Sequence, residues 1–399
     1  MKFDVVVVGA SIAGLHAARR LARSGKSVAV FDRQAELNPA RRTLIVTPEL
    51  RRVLPDIPEE AVLHQTGRIK LSSPNATGEV SLRDPDLIVE RAAIIRWLFR
   101  EAVDAGVTMH LGHRFLGFEP ASARHNGNGL RNHLAVCFHN HGASTVRARQ
   151  AVIGADGIHS DVGEAAGMPR VQSVPIVQAE VDLPPDWDPD VTQVWFNPDE
   201  TRFFYWLIPE SSSRGVVGLI GDDGVRTRAL LGHFLETRGF RARSYQGARV
   251  ALHPRRMKPW TELGGLPVLL VGDAAGQVKI TTVGGMVTGV AAAEAAVKSI
   301  LNGRSYAEEL APTRNELDVH YLIRSLLDRL DGDGYDLLVG ALGPKLGSFL
   351  GRHDRDSMRG AFWRIPFVEP RLFRVAWRCL LGRGWNQVRR EVSDPSLSA

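Results

Sequence analysis

The first 31 residues alternate short apolar runs with one longer periodic segment. Residues 3–8 are mostly valine and lack the alternation of a half-exposed strand, which is typical of a parallel strand covered on both faces. Residues 15–24 have helical spacing, and Gly25 follows as a helix-ending residue. A second apolar run spans residues 26–31. The pattern predicts a β-α-β unit at the start of the chain.

Apolar runs recur later, and they divide the chain into three regions. Residues 151–154 and 267–271 predict two more buried strands, and residues 89–106 have helical periodicity. Four short β-type segments lie between Pro, Asp, Ser and Gly turns, at residues 175–181, 192–196, 202–208 and 215–220. We therefore expect a discontinuous α/β domain (1–170 and 265–305), an inserted β-rich domain (171–264) and a C-terminal helical cap (306–399).

The composition narrows the class of protein without indicating a function. With 44% apolar and 24% charged residues the chain can bury a full core, which excludes wholesale disorder. A net charge of +6 over 399 residues is weak evidence for nucleic-acid binding, and none is expected. Two cysteines are too few for a disulfide framework, so a cytoplasmic protein is expected. No apolar run reaches the roughly 18 residues that span a bilayer, so any membrane contact would be peripheral.

The turn after the first strand carries the strongest chemical signal. Gly9 and Gly14 occupy the first and last positions of the G-x-G-x-x-G dinucleotide fingerprint, and Ser11 replaces the central glycine. Ser11 is still small enough for a pyrophosphate to approach the backbone, and N–H groups at a helix N-terminus bind such anions. Asp32 ends the second strand, where a carboxylate can accept hydrogen bonds from an adenosine ribose. These features predict a dinucleotide site for FAD or NAD.

Two distant segments favour FAD. Arg91 begins the helical segment 89–106, where its guanidinium can reach phosphate or ribose oxygens. The strand 267–271 ends in Gly272-Asp273-Ala274-Ala275-Gly276, and a helix of unusually small residues follows Gly284-Gly285. Small side chains let a helix N-terminus approach a planar ligand closely, and the helix dipole stabilises negative charge on a reduced isoalloxazine.

The three turns together resemble those of the para-hydroxybenzoate hydroxylase-like superfamily of FAD-dependent oxidoreductases. Within that superfamily the chain is most similar to the geranylgeranyl reductase family, over about residues 1–300. The third turn, Gly272-Asp273-Ala274-Ala275-Gly276-Gln277-Val278-Lys279, matches a common form of the family's third motif. Phe204-Tyr205-Trp206-Leu207-Ile208-Pro209 resembles its aromatic substrate motif. The resemblance implies an α/β fold with a glutathione-reductase-type Rossmann FAD domain, an inserted mixed β-sheet substrate domain and a C-terminal helical region.

The resemblance also implies roles for individual residues. Asp32 would bind the ribose, Arg91 the ribose or phosphate region, and Asp273 a pyrophosphate or ribityl oxygen. The implied cofactor-binding residues are Gly9, Ser11, Ala13, Gly14, Asp32, Arg33, Arg91, Asp156, Asp273, Gly284 and Gly285. The implied substrate-binding residues are Phe204, Tyr205 and Trp206, and Tyr205 is also a candidate proton donor.

Three positions depart from the family pattern. Ile280 replaces the family's usual proline, and Val283 replaces the first of three glycines. Because a β-branched residue resists a positive φ, we expect the geometry of this loop to differ. The cysteine that follows the second strand in archaeal reductases is absent from Pro39-Ala40-Arg41-Arg42-Thr43-Leu44, so its role cannot be transferred.

The leading hypothesis is an enzyme that reduces carbon–carbon double bonds of a long apolar, isoprenoid-type substrate with FAD. NADPH or another external donor would reduce the FAD. Two alternatives stay open: an FAD-dependent monooxygenase or halogenase-like enzyme acting on an aromatic or polyketide-type small molecule, and a non-catalytic flavin- or lipid-binding protein.

Beyond Arg352, arginines alternate with large apolar residues, so the tail would either cap the substrate cavity or contact a membrane peripherally.

Four histidines lie in an Asn/Gly-rich stretch: His125, His133, His139 and His141. Their spacing is irregular, and Cys137 does not complete a recognisable ligand set. No metal site is expected there.

Overall fold

The structure, a computed structural model, describes residues 1–119, 133–140 and 142–375. Its strands are β1 (Lys2–Val8), β2 (Val28–Phe31), β3 (Thr43–Val46), β4 (Val62–Ser72), β5 (Thr77–Glu90), β6 (Thr108–His110), β7 (Arg114–Phe118), β8 (Leu134–His139), β9 (Ala143–Gly154), β10 (Ser173–Asp182), β11 (Val191–Trp195), β12 (Tyr205–Pro209), β13 (Arg214–Ile220), β14 (Ala242–Ala251), β15 (Trp260–Leu263) and β16 (Leu266–Leu270). His125, His141 and the tail from residue 376 lie outside the described residues.

Five of the eleven helices in the described residues lie beyond residue 305. They are α1 (Ile12–Arg23), α2 (Glu49–Val53), α3 (Arg91–Asp104), α4 (Asp161–Ala165), α5 (Gly224–Thr237), α6 (Met286–Asn302), α7 (Tyr306–Leu327), α8 (Gly332–Gly340), α9 (Pro344–Gly351), α10 (Arg359–Phe362) and α11 (Ile365–Val368). In the described part of the chain, no helix is both long and apolar enough to cross a bilayer.

The first sheet is the predicted Rossmann layer. Its main path runs β15-β16-β9-β1-β2-β6, and β1 pairs in parallel with both β2 and β9. Val5 and Val7 belong to the apolar cluster formed with α1, α3 and α6, whereas Val6 and Val8 belong to the cluster on the other face. Burial on both faces explains why the β1 sequence is apolar without alternation.

The second sheet has the order β14-β10-β13-β12-β11-β4-β5-β3. It is mixed, as expected, because β4 and β11 run parallel while the other neighbours are antiparallel. Three of its strands come from residues 43–90, so the sheet extends beyond the predicted segment 171–264. Local sequence does not encode the pairing that joins the two segments, such as Val191 with Arg68.

The second sheet curves until its two ends approach each other. Gln178 on β10 donates a hydrogen bond to the carbonyl oxygen of Thr43 on β3 (3.4 Å), and the Thr43 hydroxyl donates to Glu210 just beyond β12. One face carries an apolar cluster that includes Ile88, Trp206 and Ile208 and faces the inside of this curve. We call it the concave face.

Helices α7–α11 cover the second sheet at the side of β4 and β5. Their own core includes Tyr335, Leu346 and Leu372, and Phe196 beside β11 packs against it. At Gly351 a Cβ atom would stand 1.9 Å from the carbonyl oxygen of Ser81 on β5, so the α9 backbone lies directly on the strand. The predicted C-terminal helices therefore act as a cap on the second sheet, as far as residue 375.

Candidate active site

The three glycine-containing turns meet at one end of the Rossmann layer. Gly9 has φ +103°, and a Cβ there would lie 2.4 Å from the carbonyl oxygen of Ala155. Gly272 has φ +65°, and a Cβ there would lie 3.3 Å from that of Ala13. Glycine tolerates these positive φ values, and its lack of a Cβ lets the neighbouring turns come this close. The turns after β1, β9 and β16 thus converge as the sequence predicted.

The first turn is fixed by side chains at both ends. Ser11, where the fingerprint usually has glycine, caps α1 by accepting a hydrogen bond from the Gly14 N–H (3.2 Å). Asp32 accepts one from the Ala10 N–H (2.7 Å) and one from the Gln34 N–H (2.8 Å). The first N–H groups of α1 have no intrahelical acceptor and are available to an anion. The carboxylate of Asp32 stands beside them with further lone pairs to offer.

Two arginines and one aspartate line the space beside this turn. Asp273 has solvent-exposed surface, but much protein surrounds its carboxyl group. The resulting desolvation raises the pKa of that carboxyl, despite the nearby positive charges of Arg91 and Arg42. Burial lowers the pKa of Arg91, and burial together with the charge of Arg91 lowers that of Arg42 to about 10. Neither guanidinium has a hydrogen-bond or ion-pair partner among the described residues. Glu90 also lies near Arg91, but its carboxylate accepts hydrogen bonds from the N–H groups of Arg42, Ala92 and Ala93. The two guanidinium groups therefore remain available, which suits a pyrophosphate.

The third turn continues into a segment, residues 277–285, that we call the flavin loop. Within it Val283 has φ +53°, the one positive φ of a non-glycine residue in the described part of the chain. The expectation of altered geometry is therefore refined: the loop keeps a left-handed turn at the position of the missing glycine and accepts the strain. At Gly285 a Cβ would lie 2.9 Å from Val278 Cγ2 and 3.4 Å from Asp273 Oδ1. Gly285 precedes α6, whose N-terminus faces this loop.

Internal hydrogen bonds hold the start of the flavin loop. The Gln277 carboxamide accepts from the Gly272 N–H (2.6 Å) and donates to the Tyr306 hydroxyl (3.2 Å). Tyr306 in turn donates to the Leu270 carbonyl (3.0 Å). Thr288 on α6 donates to the Gln277 carbonyl (2.6 Å). Because these groups are buried, each bond fixes the loop against β16 and α6.

Asp156, in the turn after β9, accepts hydrogen bonds from the residues that follow it. One carboxylate oxygen accepts from the Ser160 hydroxyl (2.6 Å) and the other from the Val162 N–H (3.0 Å). Asp156 therefore stabilises the start of α4, and its assignment to the cofactor site stays a prediction. The small residue before it, Ala155, provides the close contact with Gly9.

Phe204 and Trp206 lie on the concave face, together with Ile45, Ile88 and Val283. Val283 also packs against the apolar cluster of the Rossmann layer, so the flavin loop closes one end of the concave face. Phe204 is half-buried and Trp206 is 6% exposed. The result is an apolar cluster that begins at the flavin loop, and Phe204, Ile45 and Val283 are among its partly exposed members.

Tyr205 points to the opposite face. It stacks on Phe234 of α5 (4.3 Å between ring centroids), and its hydroxyl donates to Glu200 (2.6 Å). Burial and the adjacent Glu200 carboxylate raise the pKa of Tyr205. The sequence predicted alternation along this strand but not which side faces the substrate. We therefore correct the assignment of Tyr205 as substrate contact and proton donor.

The residues present fit an FAD molecule. Gly9 and Gly272 let the three turns pack closely together, and Arg42, Arg91 and Asp273 offer unpaired polar groups beside them. Arg42 was not predicted from the sequence. Its proximity to Arg91 comes from pairing between β3 and the end of β5, which local sequence does not reveal.

Comparison with known proteins supports the same identification. Residues 2–304 match the family model of the FAD binding domain. The chain is 32% identical to digeranylgeranylglycerophospholipid reductase 1 of Methanopyrus kandleri over 326 residues, which are 75% of this chain and 82% of that protein.

Two solved structures share the fold. A geranylgeranyl bacteriochlorophyll reductase-like protein from Thermoplasma acidophilum superposes with a TM-score of 0.76 at 19% identity, covering 94% of this chain and 99% of that one. A flavin-dependent brominase gives 0.65 at 15% identity, covering 95% and 100%. At these identities the structures establish the fold alone. The match to the FAD model and the sequence relative go further, and the chain belongs to the geranylgeranyl reductase family of FAD-dependent oxidoreductases.

Proposed function

We propose that this protein reduces carbon–carbon double bonds in a long apolar, isoprenoid-type substrate. The observation that carries the proposal is the concave face, whose apolar surface starts at Val283 of the flavin loop and continues over Trp206 and Phe204. When bound, FAD would supply the hydride. The chain's own part is to hold the alkene at the flavin loop and to keep water away from it. The name of the Methanopyrus kandleri relative, a reductase of an isoprenoid lipid, agrees with this.

We propose that the FAD pyrophosphate binds at the α1 N-terminus with Ser11, Ala13, Arg42 and Arg91. Asp32 and the exposed Arg33 would take the adenosine end. Asp273, Gly284 and Gly285 would lie along the ribityl chain and the ring. NADPH or another external donor would reach the ring transiently.

Anaerobic reoxidation of reduced flavin by geranylgeranyl lipids tests the reductase function. A saturated product formed without oxygen supports it. Oxygen uptake coupled to a hydroxylated or halogenated product would instead support a monooxygenase or halogenase-like enzyme. Bound FAD that no lipid and no small aromatic compound reoxidises would mean a non-catalytic flavin-binding protein.

Two variants on neighbouring residues localise the substrate. Phe204→Ala should lower kcat/KM roughly tenfold, because it removes apolar contact area from the concave face. Tyr205→Phe should leave kcat/KM within about twofold, since the Tyr205 hydroxyl bonds Glu200 on the other face. Equal effects of the two substitutions would contradict the proposed substrate face.

We also propose a peripheral membrane contact through the C-terminal cap. Trp363, Phe367 and Phe373 are 63%, 79% and 52% exposed. Exposed arginines accompany them, namely Arg359, Arg364, Arg371 and Arg374. Aromatic rings at the acyl boundary with arginines at the headgroups are a typical arrangement for a surface that lies on a membrane. Such a contact would deliver a lipid substrate to the neighbouring second sheet.

A further inference from the structure

The C-terminal region reaches back to the flavin loop through one short segment. Residues 354–359, which we call the clasp, lie between α9 and the first turn of α10. Asp356 of the clasp forms an ion pair with Lys279 of the flavin loop, with 2.6 Å between Oδ1 and Nζ. The Lys279 and Asp356 side chains are 7% and 3% exposed. A pair so deeply buried joins two segments 77 residues apart in sequence.

The surroundings make this pair the centre of a larger contact. The second carboxylate oxygen of Asp356 accepts a hydrogen bond from the Thr47 hydroxyl (2.7 Å), which ties the clasp to the end of β3. Oδ1 faces the Lys279 ammonium, so the two oxygens of one carboxylate join the clasp to both β3 and the flavin loop. Arg355 pairs with Asp86 on β5 (2.6 Å), whose side chain is 2% exposed. Two cations thus balance two carboxylates.

Helix α7 holds the clasp and the flavin loop together. The buried His320 ring contacts the Thr281 hydroxyl with one nitrogen (2.6 Å) and the Arg355 carbonyl with the other (3.0 Å). Glu316, one turn earlier, accepts hydrogen bonds from the N–H groups of Met358 and Arg359. The clasp is therefore anchored independently of Lys279, and it can act on the loop as a fixed support.

We infer that Asp356 is a positioning residue for the cofactor: it holds Lys279, and through it fixes the shape and the net charge of the flavin loop. The Lys279 ammonium lies 4.0 Å from the point that a Cβ of Gly284 would occupy. The inference rests on the proposed placement of the flavin ring beside Gly284 and Gly285. With the ring at that place, an unbalanced charge on Lys279 or Asp356 would change the relative stability of oxidised and reduced flavin, since reduction adds negative charge.

The test compares the FAD midpoint potential of the full-length protein with those of three variants. Asp356→Asn leaves Lys279 unbalanced and should raise the potential, whereas Lys279→Met leaves Asp356 unbalanced and should lower it. The double variant Lys279→Met/Asp356→Asn should return close to the original potential, yet bind FAD roughly tenfold more weakly because the loop has lost its support. Asp182→Asn, in an exposed pair with Arg243 (2.7 Å), is the matched control and should change neither value.

Opposite shifts in the two single variants are what a merely structural pair would not produce. Shifts of the same sign, or none in folded variants, would overturn the inference. If a single variant fails to fold, the FAD dissociation constant of the double variant is measured instead, because the double variant has no unbalanced buried charge. A dissociation constant equal to that of the unaltered protein would refute the support role. The readouts need no lipid substrate, so failure of the proposed reductase reaction leaves them intact. An unaltered protein that takes up no FAD would refute the cofactor placement and this inference together.

Discussion

Single residues explain why the first turn could be identified from sequence. Gly9 is required twice, once by φ +103° and once by the carbonyl of Ala155. The first requirement follows from a strand, a tight turn and a helix in sequence, whereas the second comes from the pairing of β1 with β9. The roles of Asp156 and Tyr205 could not be predicted in the same way. Their positions depend on which neighbour takes a carboxylate, or which face of a strand meets α5, and these choices are made by packing.

Gly9→Ala should abolish FAD retention and lower the free energy of unfolding by more than about 2 kcal/mol, since the new Cβ would collide with backbone and the φ is unfavourable. The measurements are the flavin content after gel filtration and urea unfolding. Gly25→Ala is the matched control, because Gly25 has φ +81° but no atom within 4 Å of a new Cβ. It should cost only about 1 kcal/mol and keep FAD. A Gly9 variant that retains the cofactor as the control does would contradict the tight first turn.

At the scale of elements, individual helices were easier to predict than the pairing of strands. The helices α1, α3 and α6 were recognisable from periodicity and small residues, and they occur where expected. By contrast, the pairing of β4 with β11 and the contact of β3 with β10 join segments that are over 100 residues apart. These long-range contacts create the concave face, and the pairing of β3 with β5 brings Arg42 to Arg91, so neither was visible in the sequence.

The contact between α1 and α6 should make stability depend on acid pH. Glu294 on α6 accepts two hydrogen bonds from Arg20 (both 3.1 Å) and contacts buried His16 (3.3 Å). The hydrogen bond with His16 and the Arg20 guanidinium lower the pKa of Glu294 to about 2, from 4.5. This stabilisation is complete above 4.5 and is lost as the pH falls toward 2. Burial lowers the pKa of His16, so protonation of the unfolded chain below about 6.5 adds to the loss.

Glu294→Gln should therefore lower the free energy of unfolding by about 1–2 kcal/mol at neutral pH. The difference from the unaltered protein should shrink at about pH 3, where both forms have lost the carboxylate's advantage. Urea unfolding at constant FAD concentration measures both differences. Glu262→Gln removes an exposed carboxylate with no ion pair in the described structure and should change little at either pH. A Glu294 deficit that persists at low pH would show that packing, not charge, holds the two helices.

The whole molecule combines three chemically different regions. The Rossmann layer presents a positive space suited to a dinucleotide, the concave face presents an apolar surface, and the C-terminal cap presents exposed aromatic rings with arginines. The clasp links the last of these to the flavin loop, through Asp356 and Lys279. The proposed long, apolar substrate would use the first two regions, and the proposed membrane contact would use the third.

Binding to lipid vesicles is predicted from the exposed aromatic rings and arginines of the C-terminal cap. Trp363→Ser/Phe367→Ser/Phe373→Ser should reduce partitioning to phosphatidylglycerol-containing vesicles roughly tenfold or more, because it removes the rings that would enter the acyl boundary. Neutral phosphatidylcholine vesicles should bind the unaltered protein less well, since the arginines gain nothing there. Leu116→Ser/Val225→Ser/Tyr245→Ser removes equally exposed apolar groups elsewhere and should leave partitioning unchanged. Co-sedimentation measures all three proteins, with turnover on a detergent-dissolved lipid as the check on folding. If the two triple variants lose vesicle binding equally, the C-terminal cap has no special affinity for membranes.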